Sequence, residues 1–511
     1  MVGVEDGAYV VRTEIGLMNV PINSVTCEGD CPVLVAAPEA PAAVEAPAAT
    51  ETATPEPAPA EPATTTAAAD DVPADKKFGI HGSRTIGTHL IPNLIKAYAE
   101  KIGATYEMLD DIPTERIVRL SAADGTVIAQ IDLQTKGSGS AFPGLGEGLA
   151  DIGMADRRMN DGDLSKLGPL GELRDTSSEI VLGLDGIVVL VHPTNPLNDI
   201  SFEQLSRIFS GEVSNWSAFG GADAQIKLHS FPDGSGDRSI FLSRSVDPFG
   251  KTESEAAVEH QEYAEMRDAV LADPHAIGFL GRAFVGDEVK VLPIREQCGL
   301  ISPPTNFRIK TEGYAMSRRI YLYRKPGTIH PVAQDLIDFA FSPEGQQVIV
   351  DSSFVDRKLE GQRLSDMTVE LDHARTEPDF QPEVFKTLMS DLGRAERLSI
   401  AFRFPFSKAT LDPLSERAID EFAAELRSGA FDGKEILVVG FADSVGSFNQ
   451  NQKLALARAR MVSDLISSRV EIGQARRLGL TPVSFGELLP YLCNEDEFGR
   501  DANRRVEIWV R

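Results

Sequence analysis

Hydrophobic positions divide this chain into stretches of different period. Between residues 77 and 352, short apolar runs alternate with amphipathic segments, the pattern of strands alternating with helices in an α/β layer. Residues 78–81 read as a strand and 82–87 as a turn. Leu90, Leu94, Ile95 and Tyr98 then form the inner face of a helix. Further strand–helix units are predicted around 131–149 and 187–209, and a glycine loop opens a helix at 233–246. This alternation predicts parallel strands. Near the end, 436–439 is a short buried strand, and Leu454, Met461 and Leu465 recur at helical spacing after a polar loop. At the start, residues 7–20 alternate and turn like a β-hairpin.

Between the first module and the α/β region, residues 36–76 are almost wholly Ala, Pro, Glu and Thr. Such a segment buries little and is expected to be an extended linker. The chain of 511 residues accommodates three or four domains, and 42% apolar with 25% charged residues is a globular composition. A net charge of −27 without a basic stripe argues against nucleic acid as a partner. No run of about 20 apolar residues is present to cross a bilayer. Residues 1–20 show no basic end followed by an apolar stretch, so a removed signal peptide and first strand are expected upstream.

Three Gly/Ser-rich loops precede predicted helices: residues 82–87, Gly137-Ser138-Gly139-Ser140, and Asp233-Gly234-Ser235-Gly236. Amides at a helix start, joined by hydroxyls, can cradle an oxyanion without a metal. Other stretches add to these loops: Ala155-Asp156 after an apolar run, Phe209-Ser210-Gly211-Glu212 leading to Asn215-Trp216, and Ala276-Ile277-Gly278-Phe279. With them, the segment resembles the phosphate-binding proteins of ABC importers, which have the type II periplasmic-binding-protein fold. The resemblance implies that Thr85, Ser138, Ser235 and the amide of Gly236 donate to the anion. It implies that Asp156 accepts the proton of a hydrogen phosphate, which would favour phosphate over sulfate. Two positions depart from that family: its arginine is Phe231 here, and its threonine is Asp237. Arg238, Arg84 or Arg158 could supply the missing charge from a neighbouring position.

A second motif set closes the chain: Gly440-Phe441-Ala442-Asp443-Ser444-Val445-Gly446, then Asn451 to Leu454, Arg458-Ala459, and Gly499-Arg500 leading to Asn503-Arg504-Arg505-Val506. An Asp in a loop and an Arg two to three turns along the next helix can hold a molecule carrying both an amine and a carboxylate. The set resembles the OmpA-like peptidoglycan-binding family over residues 395–511. That resemblance assigns Asp443 and Arg458 to the diaminopimelate of peptidoglycan. Asn451, Asn503 and Arg504 match too, as scaffold first and ligand contacts second. Phe441, Ala442 and Ala455 replace polar residues of the family pattern, so weaker wall binding is expected.

The eight histidines show no metal-ligand spacing, and no nucleophile elbow or phosphate-binding P-loop occurs, so neither metal, cofactor nor catalysis is expected. Cys27 and Cys31 fit a local disulfide, whereas Cys298 and Cys493 are either buried thiols or an interdomain bridge. The expected class is α/β multidomain. A small truncated β module (1–35) precedes the linker (36–76) and a two-lobed type II periplasmic-binding-protein fold (77–352). A connector (353–394) then leads to an OmpA-like α/β sandwich (395–511). The implied function is a periplasmic, wall-tethered receptor for phosphate or a related oxyanion, docking on an ABC importer permease. The alternative is an envelope scaffold or sensor whose receptor domain binds another ligand or none.

Overall fold

The computed structural model describes three strands between residues 3 and 21, and residues 72–511 except 113, 172, 378–379, 405–410 and 471–478. The Cys27–Cys31 pairing expected above lies outside the described residues. The first unit contains an antiparallel sheet of Gly3–Glu5, Ala8–Thr13 and Gly16–Pro21, with the hairpin where the alternation placed it.

The second unit, residues 67–511, is built on two large sheets. In the first, Lys77–Gly82 pairs in parallel with Val127–Gln134 and with Ile152–Ala155. The expected parallel strands occur here and again in the second lobe, where Lys227–Ser230 pairs in parallel with Ala276–Gly281 and with Val258–Glu259; the rest of the sheet is antiparallel. Thr105–Ile112, Glu115–Ser121 and Val127–Gln134 form an antiparallel meander, because the turns between them are too short for a crossover helix. Glu179–Val191 and Ser317–Arg324 also run antiparallel to each other.

These last two strands join the lobes. All 13 residues of Glu179–Val191 are buried, so the strand reads as a continuous apolar run interrupted by few charges. Its first half packs in one core with Ile80, Leu94 and Ile131; its second half packs in another with Phe209, Phe241 and Phe279. Helix Leu90–Lys101 buries Leu90, Leu94, Ile95 and Tyr98, the face its periodicity marks.

In the second sheet the order is Gly361–Arg363, Glu396–Arg403, Arg505–Val510, Glu435–Gly440, Gly479–Ser484. The segment expected to be a connector enters this domain: Gly361–Arg363 is its edge strand, and Leu371, Leu388 and Leu392 share a core with Leu437, Phe441 and Trp509. Helix Phe448–Arg469 lies on the sheet through Asn451, Ala455, Arg458, Ala459, Val462 and Ile466. Leu454 is 48% exposed, so the buried stripe is one position later than the apolar spacing suggested. The cause is close packing at Gly440, where a Cβ would strike the backbone of Ala455; only a small residue fits against it.

Candidate functional site

Local turn chemistry positions each residue of the candidate anion site at the ends of the parallel strands. After Lys77–Gly82 the chain enters the turn Arg84–Gly87, where Ser83 Oγ accepts from the Ile86 amide at 3.4 Å and Thr85 is buried. After Val127–Gln134, Gly137 takes a positive φ of 104° and delivers Ser138. Asp156 follows Ile152–Ala155 directly. From the other lobe, Ser235 caps helix Gly236–Ser245, its Oγ accepting from the Arg238 amide at 3.4 Å.

These residues meet around a cavity of about 120 Å³ lined by Thr85, Ser138, Asp156, Ser235, Gly236 and Tyr263, among others. Thr85 Oγ1 donates to Asp156 Oδ2 at 2.9 Å, and the Asp156 amide donates to Ser138 Oγ at 3.1 Å. Ser138 Oγ also donates to Asp156 Oδ1. Tyr263 Oη lies 2.9 Å from Thr85 Oγ1 and so joins the lobes at the cavity. Burial, aided by the charge of Asp237, holds the Tyr263 phenol well above its usual range, so it remains a proton donor. Gly236 approaches so closely that a Cβ there would collide with the Asp156 carboxylate. Arg84 and Lys136 line the same cavity; Arg84 sits 3.7 Å from Glu262, and Lys136 2.6 Å from Glu115.

Of the three arginines offered to replace the one missing at Phe231, Arg84 lines the cavity, whereas Arg238 and Arg158 are drawn elsewhere. Arg238 turns to Glu253, at 2.7 Å, and to Asp233, and does not line the cavity. Arg158 is bound by Glu179 at 2.9 Å. Phe231 occupies an aromatic cluster with Tyr263 and Phe279. Behind Asp156 stands Arg318 of strand Ser317–Arg324, which sequence reading missed. Its Nη1 is 3.5 Å from Asp156 and pairs with Asp237, while Nη2 is 2.5 Å from Asp185. Burial raises the Asp237 carboxyl to about 6 against the pull of Arg318, with Asp156 and Asp185 adding to the rise. The available signal was the adjacent Arg318 and Arg319 running straight into the apolar Ile320–Tyr323 of a buried strand, which demand buried acids.

In the C-terminal domain, Asp443 follows strand Glu435–Gly440 and Arg458 lies on the adjoining helix. The direct partner of Asp443 is Arg504, Nη1 to Oδ2 at 2.8 Å, rather than Arg458. Asn451 Nδ2 donates to the Asp443 carbonyl at 3.0 Å and to Glu487 at 2.9 Å, which secures the loop. Arg458 is 8% exposed, its guanidinium 5.4 Å from the Phe404 ring centre. Among the described residues its Nη1 has no hydrogen-bond partner. Burial and the neighbouring Arg504 lower its pKa, both marks of a cation suited to receive an anion.

Comparison with known proteins assigns both halves. Residues 122–344 match the PBP superfamily domain and residues 403–487 match the OmpA family. The chain therefore joins a two-lobed binding-protein domain to an OmpA family domain. It is 24% identical over 286 residues to the phosphate-binding protein PstS of Borreliella burgdorferi, covering 53% of this chain and 96% of the relative. To the PstS of Bacillus subtilis it is 29% identical over 226 residues, covering 43% of this chain and 69% of the relative. Among solved structures, an ABC-type phosphate transport receptor from Vibrio cholerae aligns at a TM-score of 0.42 and 20% identity, over 54% of this chain and 99% of that one. The peptidoglycan-associated lipoprotein of Burkholderia pseudomallei aligns at 0.19 and 24%, over 22% and 89%.

Proposed function

We propose that this protein binds phosphate or a related oxyanion between its lobes and holds peptidoglycan through its C-terminal domain, in the periplasm. The observation that carries the anion reading is the convergence of Thr85, Ser138, Ser235 and Tyr263, from both lobes, around one buried carboxylate. An acid beside an anion is repulsive unless a proton lies between them, so Asp156 selects a ligand that brings one. Hydrogen phosphate does and sulfate does not. The phosphate-binding relatives support this ligand class, and the OmpA family match supports the wall as second partner. Diaminopimelate is the group that Arg458 and the Asp443 loop would grip. In this reading the closed lobes present one face to an importer permease.

Calorimetry on the full chain tests it. Phosphate should give heat and sulfate none, and Asp156→Asn should let sulfate bind, because an amide can donate where the carboxylate only accepts. Absence of heat with both anions would remove the anion reading. A second reading, an envelope scaffold or sensor, is favoured by Phe231, which puts an aromatic ring where the resemblance expects the anion's arginine.

A further inference from the structure

The C-terminal domain grips both lobes of the receptor. On the first lobe, the guanidinium of Arg417 lies 4.2 Å from the Phe341 ring centre, and Leu414 packs against the core of Phe142 and Tyr321. On the joining strand, Arg319 pairs with Asp412 at 2.6 Å. On the second lobe, Tyr491 and Leu492 enter the core of Phe209 and Phe279. There the contact is covalent: Cys298 and Cys493, 195 residues apart in sequence, form a disulfide with Cα atoms 5.8 Å apart. Two-lobed receptors work by turning about their joining strands, so a domain fixed to both lobes restrains that turn.

The disulfide lies in a setting suited to exchange rather than sealed in a core. It borders a cavity of about 420 Å³ lined by Cys493, Glu296, Gly299 and Arg244 among others. Cys298 is half-buried and Cys493 buried. Glu296 accepts from the Cys493 amide at 2.7 Å, and its other oxygen has no hydrogen-bond partner among the described residues. Burial pushes the Glu296 carboxyl up to about 8, so it holds a proton near neutrality. A fully partnered structural carboxylate would not.

We propose that Cys298–Cys493 is a reducible tie, opened by a dithiol reductant, that releases the second lobe from the C-terminal domain and frees the hinge. The reductant's thiolate attacks the more accessible Cys298 sulfur; the S–S bond breaks and its electron pair passes to Cys493, which takes up a proton from Glu296. The reductant's second thiol then displaces Cys298 from the mixed disulfide and leaves as the oxidised disulfide. Two electrons and two protons are transferred, the second proton and that returned to Glu296 coming from the reductant's thiols and solvent.

The test uses the full oxidised chain, titrated with dithiothreitol at pH 7. Alkylation and peptide mass spectrometry follow Cys298 and Cys493 separately from Cys27 and Cys31, near-ultraviolet circular dichroism follows the fold, and hydrogen exchange follows the amides of 296–300 and 488–503. Reduction should proceed with the fold retained, and those amides should exchange about tenfold faster or more. Paired Cys298→Ser and Cys493→Ser substitutions should reproduce the faster exchange without reductant, and Glu296→Gln should slow reduction several-fold. A bond that resists reduction until the protein unfolds, or exchange unchanged by reduction, overturns the tie. An unaltered rate in Glu296→Gln removes the proton donor from it. None of these readouts involves a ligand, so they are independent of the anion reading.

Discussion

Arg318 stands opposite Asp185 in the register of the two strands that join the lobes, and its guanidinium bonds that carboxylate through Nε at 3.0 Å and Nη2 at 2.5 Å. The same guanidinium reaches Asp156, the acid of the cavity between the lobes, and Asp237. One cation therefore holds three buried acids drawn from both lobes and from the strand between them. Replacing it leaves uncompensated charge rather than merely a lost contact. Arg318→Met should cost about 3–5 kcal/mol in urea unfolding at pH 7. Adding Asp237→Asn should recover part of that loss, since one of the three acids is then neutral; no recovery would show that the cluster is not electrostatically coupled.

Asp237 sets a pH dependence. Its folded pKa of about 6 lies above the ordinary 3.8, so the native state binds the proton more tightly than the unfolded chain. Stability from this group is complete below about pH 4 and declines as pH rises through 6, because the buried carboxyl must then ionise. The stability difference between Asp237→Asn and the native protein should shift in favour of the variant between pH 4 and pH 7. Paired urea titrations at those two values would measure it, and a constant difference would reject the raised pKa.

Glu312 behaves in the opposite sense. Burial disfavours its charge, but Arg319 and Arg403 outweigh that and hold its pKa at about 2, below the usual 4.5. The stabilisation is present above about pH 4.5 and is lost as pH falls toward 2. Because Arg403 belongs to the C-terminal domain and Arg319 to the joining strand, Glu312→Gln should weaken the seam between domains. We expect about 3–5 kcal/mol at pH 7 and far less at pH 2.5, read by chemical denaturation. An equal loss at both values would assign the effect to packing.

What the sequence disclosed was local chemistry. The Gly/Ser loops follow from turn and cap preferences within a few residues, so Thr85, Ser138, Ser235 and Gly236 were legible and all line one cavity. Arg318 was not, since its partners come from positions 156, 185 and 237, which only the folded sheet brings together. Arg238 was misjudged because proximity in sequence to Phe231 says nothing of direction, and Glu253 draws it away. The phase of the last long helix was set by close approach of Ala455 to Gly440, a small-residue contact that a count of large apolar positions overlooks. Likewise, the segment before residue 395 carried its own apolar stripe, but which domain would cover it depended on Trp509 and Phe441.

The two residues proposed to bind the wall should fail differently when removed. Asp443 accepts from Arg504 at 2.8 Å and from the Val445 amide at 3.1 Å, so it holds its own loop in addition to its proposed role. Asp443→Ala takes a buried carboxylate from Arg504 and should lower the melting temperature as well as wall binding. Arg458 has an Nη1 with no hydrogen-bond partner among the described residues and a pKa depressed by burial and by Arg504, so its charge costs the free protein. Arg458→Met keeps the stem that packs near Phe404 and should leave the melt unchanged or raise it slightly. It should still abolish co-sedimentation of the full chain with sacculi containing diaminopimelate, because a ligand carboxylate would lose its partner. Pelleting by Arg458→Met equal to that of the native protein would remove Arg458 from the wall site, while a lowered melt would mark it as structural.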